Sequence, residues 1–258
     1  MRPTAPACTG REKRRKRNVK YAAKSEQGKR IRNEDCLFIP TRPGEIPLAV
    51  VADGMGGHNA GGMASALAVE AVVTELKRGG MGSPEDLILA ALAKANAAVY
   101  DYSLVTPNCR GMGTTLVLAM VFKTRYVAAN IGDSRLYYFD GSSLLQITED
   151  HSYVAELVAA GHITREEAMR HPKRNIITRA LGTREQEQAD IFKGNWGPGD
   201  RLMLCTDGLF GLLDEREMTR ILREENDMDA ACERLVELAL YGGSTDNISV
   251  ALIQNEEA

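Results

Sequence analysis

The sequence predicts an α+β domain built in layers rather than a doubly wound α/β one. Strand-like apolar runs follow one another with no helix between them: TTLVLAMVF (114–122), RYVAANIG (125–132) and RLYYF (135–139). Helical patterns come in two pairs, one on each side of that block. Hairpin-type strands mixed with paired helices describe layers of antiparallel sheet and helix, not alternating βαβ units.

REKRRKRNVK (11–20) is a basic block ahead of any hydrophobic pattern. Residues 1–18 are therefore expected to be a solvated, disordered tail, and 19–255 a single domain. CLFI (36–39) and PLAVVA (47–52) are the first strands expected. A helix follows over about 60–78, from ALAVEAVVTELK. The next begins at SPED, with Ser83 as N-cap, Pro84 at the first helical position and acids in the first turn. Leu87, Ala91, Ala95, Ala98 and Tyr102 recur at near-helical spacing, and Pro107 bounds them.

After the three strand runs, Asp140-Gly141 reads as a hairpin turn into LLQIT. Residues 152–182 read as mostly helical and polar with no strand signal, and Asp150 and Ser152 as helix-cap residues. Asp200 in GPGD marks a turn before the strand RLMLCT (201–206). Helices are expected at about 214–224 and 228–241, and NISVALIQ (247–254) closes the chain as a strand.

Composition excludes several classes. The chain is 44% hydrophobic and 26% charged, the balance of a soluble globular protein. A net charge of −3 gives no overall pull toward nucleic acid or an anionic membrane surface. No apolar run approaches the roughly 18–20 residues of a membrane span. The N-terminus lacks an apolar h-region, so a secretory signal is not expected there. Cys8, Cys36, Cys109, Cys205 and Cys232 include no CxxC pair, which argues against zinc. Reduced thiols and a cytoplasmic location are expected. No GxxxxGK[ST] nucleotide loop occurs, and a phosphocysteine route is not expected.

Aspartates stand at the boundaries of apolar strands in four places. Asp53-Gly54 follows VVA, Asp207-Gly208 follows LMLCT, Gly132-Asp133 separates YVAANI from RLYYF, and Asp246-Asn247 precedes ISVALI. A lone Asp-Gly is ordinarily a turn, as Asp140-Gly141 is read here. Strand ends of a packed sheet share a rim, so these four can converge. A carboxylate at the edge of an apolar core is costly unless paired with positive charge, and the arginines nearby are too few. A divalent cation would supply it. The donors are all oxygen, which suits Mg²⁺ or Mn²⁺. Two ions sharing a carboxylate would clamp phosphate.

With these residues in place the sequence resembles the type 2C protein phosphatases, the PPM family of metal-dependent serine/threonine phosphatases, and most of all its compact bacterial members. The matching segments run in order: RIRNED (30–35), VADGMGGH (51–58), GMGTT (111–115), NIGDSRLY (130–137), TEDHS (148–152), NIITRALG (175–182), CTDGL (205–209) and STDNIS (244–249). They span about residues 20–253.

The resemblance implies two antiparallel sheets packed as a sandwich with helix pairs outside, four layers in the order αββα, and a metal cleft at one end. Asp53 resembles the carboxylate bridging two Mn²⁺ or Mg²⁺ ions, and the Gly54 carbonyl a ligand of the second. Asp207 and Asp246 resemble ligands of the first. Asp133 resembles the aspartate that, with Asp207, holds a weaker third ion. Asp35 resembles a carboxylate that orients metal-bound water, and Asn247 is taken with it as a supporting residue. Arg30 falls where the family has its phosphate-binding arginine. The implied reaction is in-line attack of a metal-activated hydroxide on phosphoserine or phosphothreonine. Where many eukaryotic members carry His after Asp-Gly, this chain has Met55. His58, in GGH, is the candidate for acting on the leaving group or substrate. Residues 152–178 correspond to the family's flap, a candidate for substrate choice, where Lys173 and Arg174 are placed to meet phosphopeptides. His151, His162 and His171 read as structural or surface residues.

The implied partners are phosphoserine and phosphothreonine proteins, a cognate bacterial-type Ser/Thr kinase among them, with no nucleic acid and no membrane span. A monomer is expected. Two other readings compete. A non-catalytic phosphoprotein-binding homologue would have lost a metal aspartate, and none is lost. A phosphodiesterase or nucleotidase would show a strongly basic cleft or stacking aromatics, and aromatics are only 5% of the chain.

Overall fold

Strand runs that are apolar at every position, such as LAVVA and LVLAMV, imply sheets buried on both faces. The computed structural model describes residues 19–57 and 60–256, and shows why. Its elements are β1 (Val19–Glu26), β2 (Asp35–Phe38), β3 (Leu48–Met55), α1 (Ala60–Arg78), α2 (Pro84–Val105), β4 (Gly113–Thr114), β5 (Leu116–Val121), β6 (Arg125–Ile131), β7 (Arg135–Phe139), β8 (Leu144–Gln146), α3 (Tyr153–Ala159), α4 (Arg165–Arg170), β9 (Asp190–Asn195), β10 (Arg201–Cys205), α5 (Asp207–Phe210), α6 (Glu215–Glu224), α7 (Met228–Tyr241) and β11 (Ile248–Asn255). The expected basic tail, 1–18, and His58 lie outside the described residues.

Among the described residues the strands form two antiparallel sheets. One has the order β1-β11-β10-β7-β8, the other β2-β3-β5-β6-β9 with β4 paired to the end of β3. Alternate residues of each central strand enter different cores. Leu48, Val50 and Ala52 of β3 join Leu116 and Leu118 of β5 beneath α1 and α2. Ala49, Val51, Val117 and Ala119 instead meet Leu202, Leu204, Ala251 and Ile253 of the other sheet. On that sheet's far side, Met203, Val250 and Leu252 pack under α6 and α7, against Ile221, Leu222, Leu235 and Val236. The layers are thus helix, sheet, sheet, helix, the sandwich expected.

Helix starts follow their local signals. Ser83 caps α2 in a reciprocal box with Asp86, and Pro84 is the first helical residue. Asp214 with Glu217 and Thr164 with Glu167 make the same box for α6 and α4. The buried face of α2 is rotated from the expected one: Ile88, Ala91, Leu92, Ala95 and Val99 are covered, while Leu87 and Tyr102 are only partly so.

Other differences are informative. β1 precedes the two strands expected first, and β9 lies just beyond the stretch expected to lack strands. Both are edge strands, so each has one paired side and a more exposed, polar sequence, VKYAAKSE and DIFKGN. Ser152 caps α3 as expected. Asp150 does not cap it. Its two oxygens instead receive Arg135 Nε (2.9 and 3.1 Å), Oδ2 also takes Nη2 (2.7 Å), and the guanidinium lies over the Phe210 ring.

Candidate active site

Antiparallel pairing brings the aspartates to one rim. Asp35 opens β2 where β3 ends, directly opposite Asp53. In the other sheet β10 ends beside the start of β11. Asp207 therefore begins α5 next to Asp246, two residues before β11. Asp133 sits on the turn by which the chain passes from β6 in one sheet to β7 in the other. Asp53 is not a strand terminus: β3 runs on to Met55, because Gly54 and Met55 pair with Thr114 and Gly113.

The carboxylates feel one another. Burial pushes Asp53 well above the usual carboxylate range, and the charges of Asp35, Asp207, Asp133 and Asp246 add to it. Burial likewise pushes Asp35 up to about 7, with Asp207 and Asp246 contributing. Asp133 is pushed up to about 7 by burial, then by Asp207 and Asp150, and Asp207 to about 6 by burial, then by Asp246. Arg30 brings a cation to this rim: its Nη2 donates to Asp246 Oδ2 (2.7 Å) while 57% of its side chain stays exposed. Buried oxygens Asp35 Oδ1 and Asp207 Oδ1 have no hydrogen-bond partner among the described residues. Crowded, partly orphaned carboxylates of this kind fit a divalent cation. They do not form a closed cage: among the described residues, no three His, Cys, Asp or Glu side chains are gathered tightly enough to surround one ion.

Supporting residues fix where each aspartate stands. Thr115 Oγ1 accepts the Asp53 N–H (2.9 Å), and the Asp53 carbonyl accepts the Thr114 hydroxyl (2.8 Å) and the Thr115 N–H (2.9 Å). The Thr206 hydroxyl donates to Asp35 Oδ2 (3.1 Å) and accepts the Ser249 N–H (3.0 Å). Asn247, 5% exposed, ties the Arg30 loop to β11. Its Oδ1 accepts the Glu34 N–H (2.8 Å), and its Nδ2 donates to the carbonyls of Gln27 (2.8 Å) and Arg32 (2.9 Å).

Glycine at 54 leaves its backbone carbonyl accessible, as the ligand role implied by the resemblance requires. Its packing supplies another reason. A Cβ on Gly54 would stand 2.1 Å from the Gly61 carbonyl oxygen and 2.6 Å from that of Glu34, so only glycine lets α1 begin this close to the strand.

Arg30, Asp35, Asp53, Gly54, Asp133, Asp207, Asp246 and Asn247 are thus placed along one rim. Thr115, Thr206, Ser249 and His151 were not singled out for the site, although each lies within a segment quoted for the resemblance. Cys36 and Arg42 have Cys-x5-Arg spacing. Yet Cys36 lies within β2, and burial, then the Asp35 charge, push its thiol up, the opposite of an activated thiolate. No helix among the described residues is long and apolar enough to cross a membrane.

Known proteins share the sequence and the fold of this chain. Residues 23–238 match the family described as protein phosphatase 2C. The chain is 37% identical over 229 residues to a serine/threonine phosphatase, stp, of Listeria welshimeri, covering 87% of this chain and 91% of that protein. It superposes with a TM-score of 0.85 on the Mycobacterium tuberculosis serine/threonine phosphatase PstP/Ppp, at 36% identity over 93% of this chain and 99% of that one. A structure of the PstP catalytic domain in complex with two manganese ions matches with a TM-score of 0.82, at 34% identity over 93% and 99% of the chains.

Proposed function

Because the chain belongs to the protein phosphatase 2C family, we propose that its rim of aspartates is the metal centre at which it dephosphorylates serine and threonine in proteins. The activity is that of a metal-dependent serine/threonine protein phosphatase. One observation carries the assignment of the site: buried carboxylates that raise one another's pKa, two with orphaned oxygens, share a rim with one exposed arginine.

Asp53 would help to hold two Mn²⁺ or Mg²⁺ ions. Gly54 would add its carbonyl to the second ion, and Asp207 and Asp246 would hold the first. Asp133 with Asp207 would hold a weaker third. When bound, the ions supply Lewis-acid stabilisation of the phosphoryl oxygens and activate the attacking water. The rest falls to the chain. Asp35 keeps Oδ2 on the Thr206 hydroxyl, which leaves Oδ1 as the acceptor for water. Arg30 grips two phosphoryl oxygens with its planar fork. Its ion pair with Asp246 keeps it at the site while no phosphate is present. Asn247 holds the loop from which Arg30 projects. His58 meets the leaving group or substrate, and residues 152–178 of a catalytic unit spanning 19–255 help choose substrate. The proposed setting is a cytoplasmic monomer opposing a bacterial-type Ser/Thr kinase.

The test is phosphate release from a phosphothreonine peptide. Release should stop in EDTA and return with Mn²⁺ or Mg²⁺. A folded sample with no release under any metal would leave the rim a binding site only. Arg30→Ala should raise KM for the peptide by about 10-fold or more, the loss of a charge-assisted bidentate contact. Its metal requirement should not change. A wild-type KM would remove Arg30 from phosphate binding.

A further inference from the structure

His151 is 5% exposed and makes five polar contacts, two of them to Gly132 on the turn carrying Asp133. Its N–H donates to the Gly132 carbonyl (2.9 Å), and its own carbonyl accepts the Thr178 N–H (2.9 Å). Its Nδ1 accepts the Gly132 N–H (3.1 Å), and its Nε2 meets Asp190 Oδ2 (2.9 Å). An Nδ1 that accepts carries no proton, so the proton is on Nε2 and is donated to Asp190. Arg179 Nη1 donates to the other oxygen of Asp190 (3.0 Å) and lies farther, 3.3 Å, from His151 Nε2, so Asp190 is the nearer partner of both groups. Position 132 admits only glycine: its φ is +106°, and a Cβ there would stand 2.6 Å from Thr115 Cβ.

We propose that His151 is a positioning residue for Asp133: its neutral imidazole grips the Gly132 amide, Asp190 and Arg179 fix its tautomer, and together they set where the Asp133 carboxylate stands beside Asp207. The inference rests on reading Asp133 as a ligand of the weaker cation. It adds a line of action from the end of the flap region, at Thr178 and Arg179, through the imidazole to the metal rim. Residues behind the ligands of a metal act through such hydrogen bonds, and their loss commonly lowers affinity 10- to 100-fold.

Two substitutions separate positioning from packing. In His151→Asn the side-chain oxygen falls near the Nδ1 position and still accepts the Gly132 amide. In His151→Gln the amide reaches toward Asp190 but leaves Gly132 without an acceptor. Calorimetric titration of the full chain with Mn²⁺, and hydrogen exchange of the Gly132 amide without metal, are the readouts. His151→Gln should weaken the low-affinity manganese event about 10-fold and speed exchange at Gly132, with KM for peptide unchanged. His151→Asn should restore both to within about threefold of wild type. Equal losses in the two variants, or wild-type values in His151→Gln, would overturn the proposal. Asp133→Asn is the control for the premise. If it leaves the manganese titration unchanged, the ligand reading fails and the proposal with it. If it removes the weak event while His151→Gln does not, the proposal alone fails.

Discussion

Asp207→Asn is expected to reduce metal-dependent hydrolysis by roughly a thousandfold or more while the metal-free protein stays folded. A metal ligand contributes several kcal/mol of transition-state stabilisation, and about 4 kcal/mol corresponds to that factor. Asn offers one weaker oxygen and no charge. The metal-free fold has no need of the charge. Burial and Asp246 already push the Asp207 pKa up to about 6, and its Oδ1 is buried without a partner. A neutral side chain of the same shape removes that repulsion and should stabilise the metal-free protein by on the order of 1 kcal/mol. Adding Mn²⁺ should then raise the melting temperature of wild type more than that of the variant. Near-wild-type turnover, or an equal melting shift with Mn²⁺, would take Asp207 out of the metal site.

Gly208→Ala should damage both fold and activity through backbone crowding alone. Gly208 lies in the first turn of α5, and a Cβ there would stand 2.0 Å from the Asn247 carbonyl oxygen and 3.3 Å from Ile248 Cγ1. Neither side yields easily. β11 is paired along its length with β1 and along much of it with β10. The segment just before it holds Asp246 and Asn247, and through Asn247 the Arg30 loop. Overpacking of this kind costs about 3 kcal/mol, a melting shift of roughly 6–12 °C for a domain of this size. The parting of Asp207 from Asp246 should also demand more Mn²⁺ for activity. Gly57→Ala is the control, since a Cβ there meets none of the described residues within 4 Å. A wild-type melting temperature and manganese response in Gly208→Ala would refute the clamp.

These expectations divide between what neighbouring residues carry and what only distant contacts create. The buried strands were legible in the sequence, because a sheet covered on both faces needs an unbroken apolar run, as in LAVVA and LVLAMV. It determined the start of α2, because a cap needs only Ser83, Pro84 and Asp86. It also placed aspartates at or near strand ends, where antiparallel pairing makes convergence geometrically cheap, though Asp53 lies two residues inside β3, and the order of its motifs identified the family.

Tertiary structure decided the rest. β1 and β9 are strands because a neighbour supplies hydrogen bonds to polar sequences that carry little signal of their own. Asp150 leaves the helix cap its position suggests, because Arg135 on β7 offers a stronger, two-pronged partner. Asn247 joins β11 to a loop more than two hundred residues earlier in the chain. His151, legible only as a polar residue beside a helix start, becomes the acceptor for Gly132 once β6 and β9 bring Asp190 beside it. Local patterns reveal what a segment needs from its nearest neighbours. The partner of a buried carboxylate, amide or imidazole is chosen by the packing of segments far apart in the chain, and so appears only when they meet.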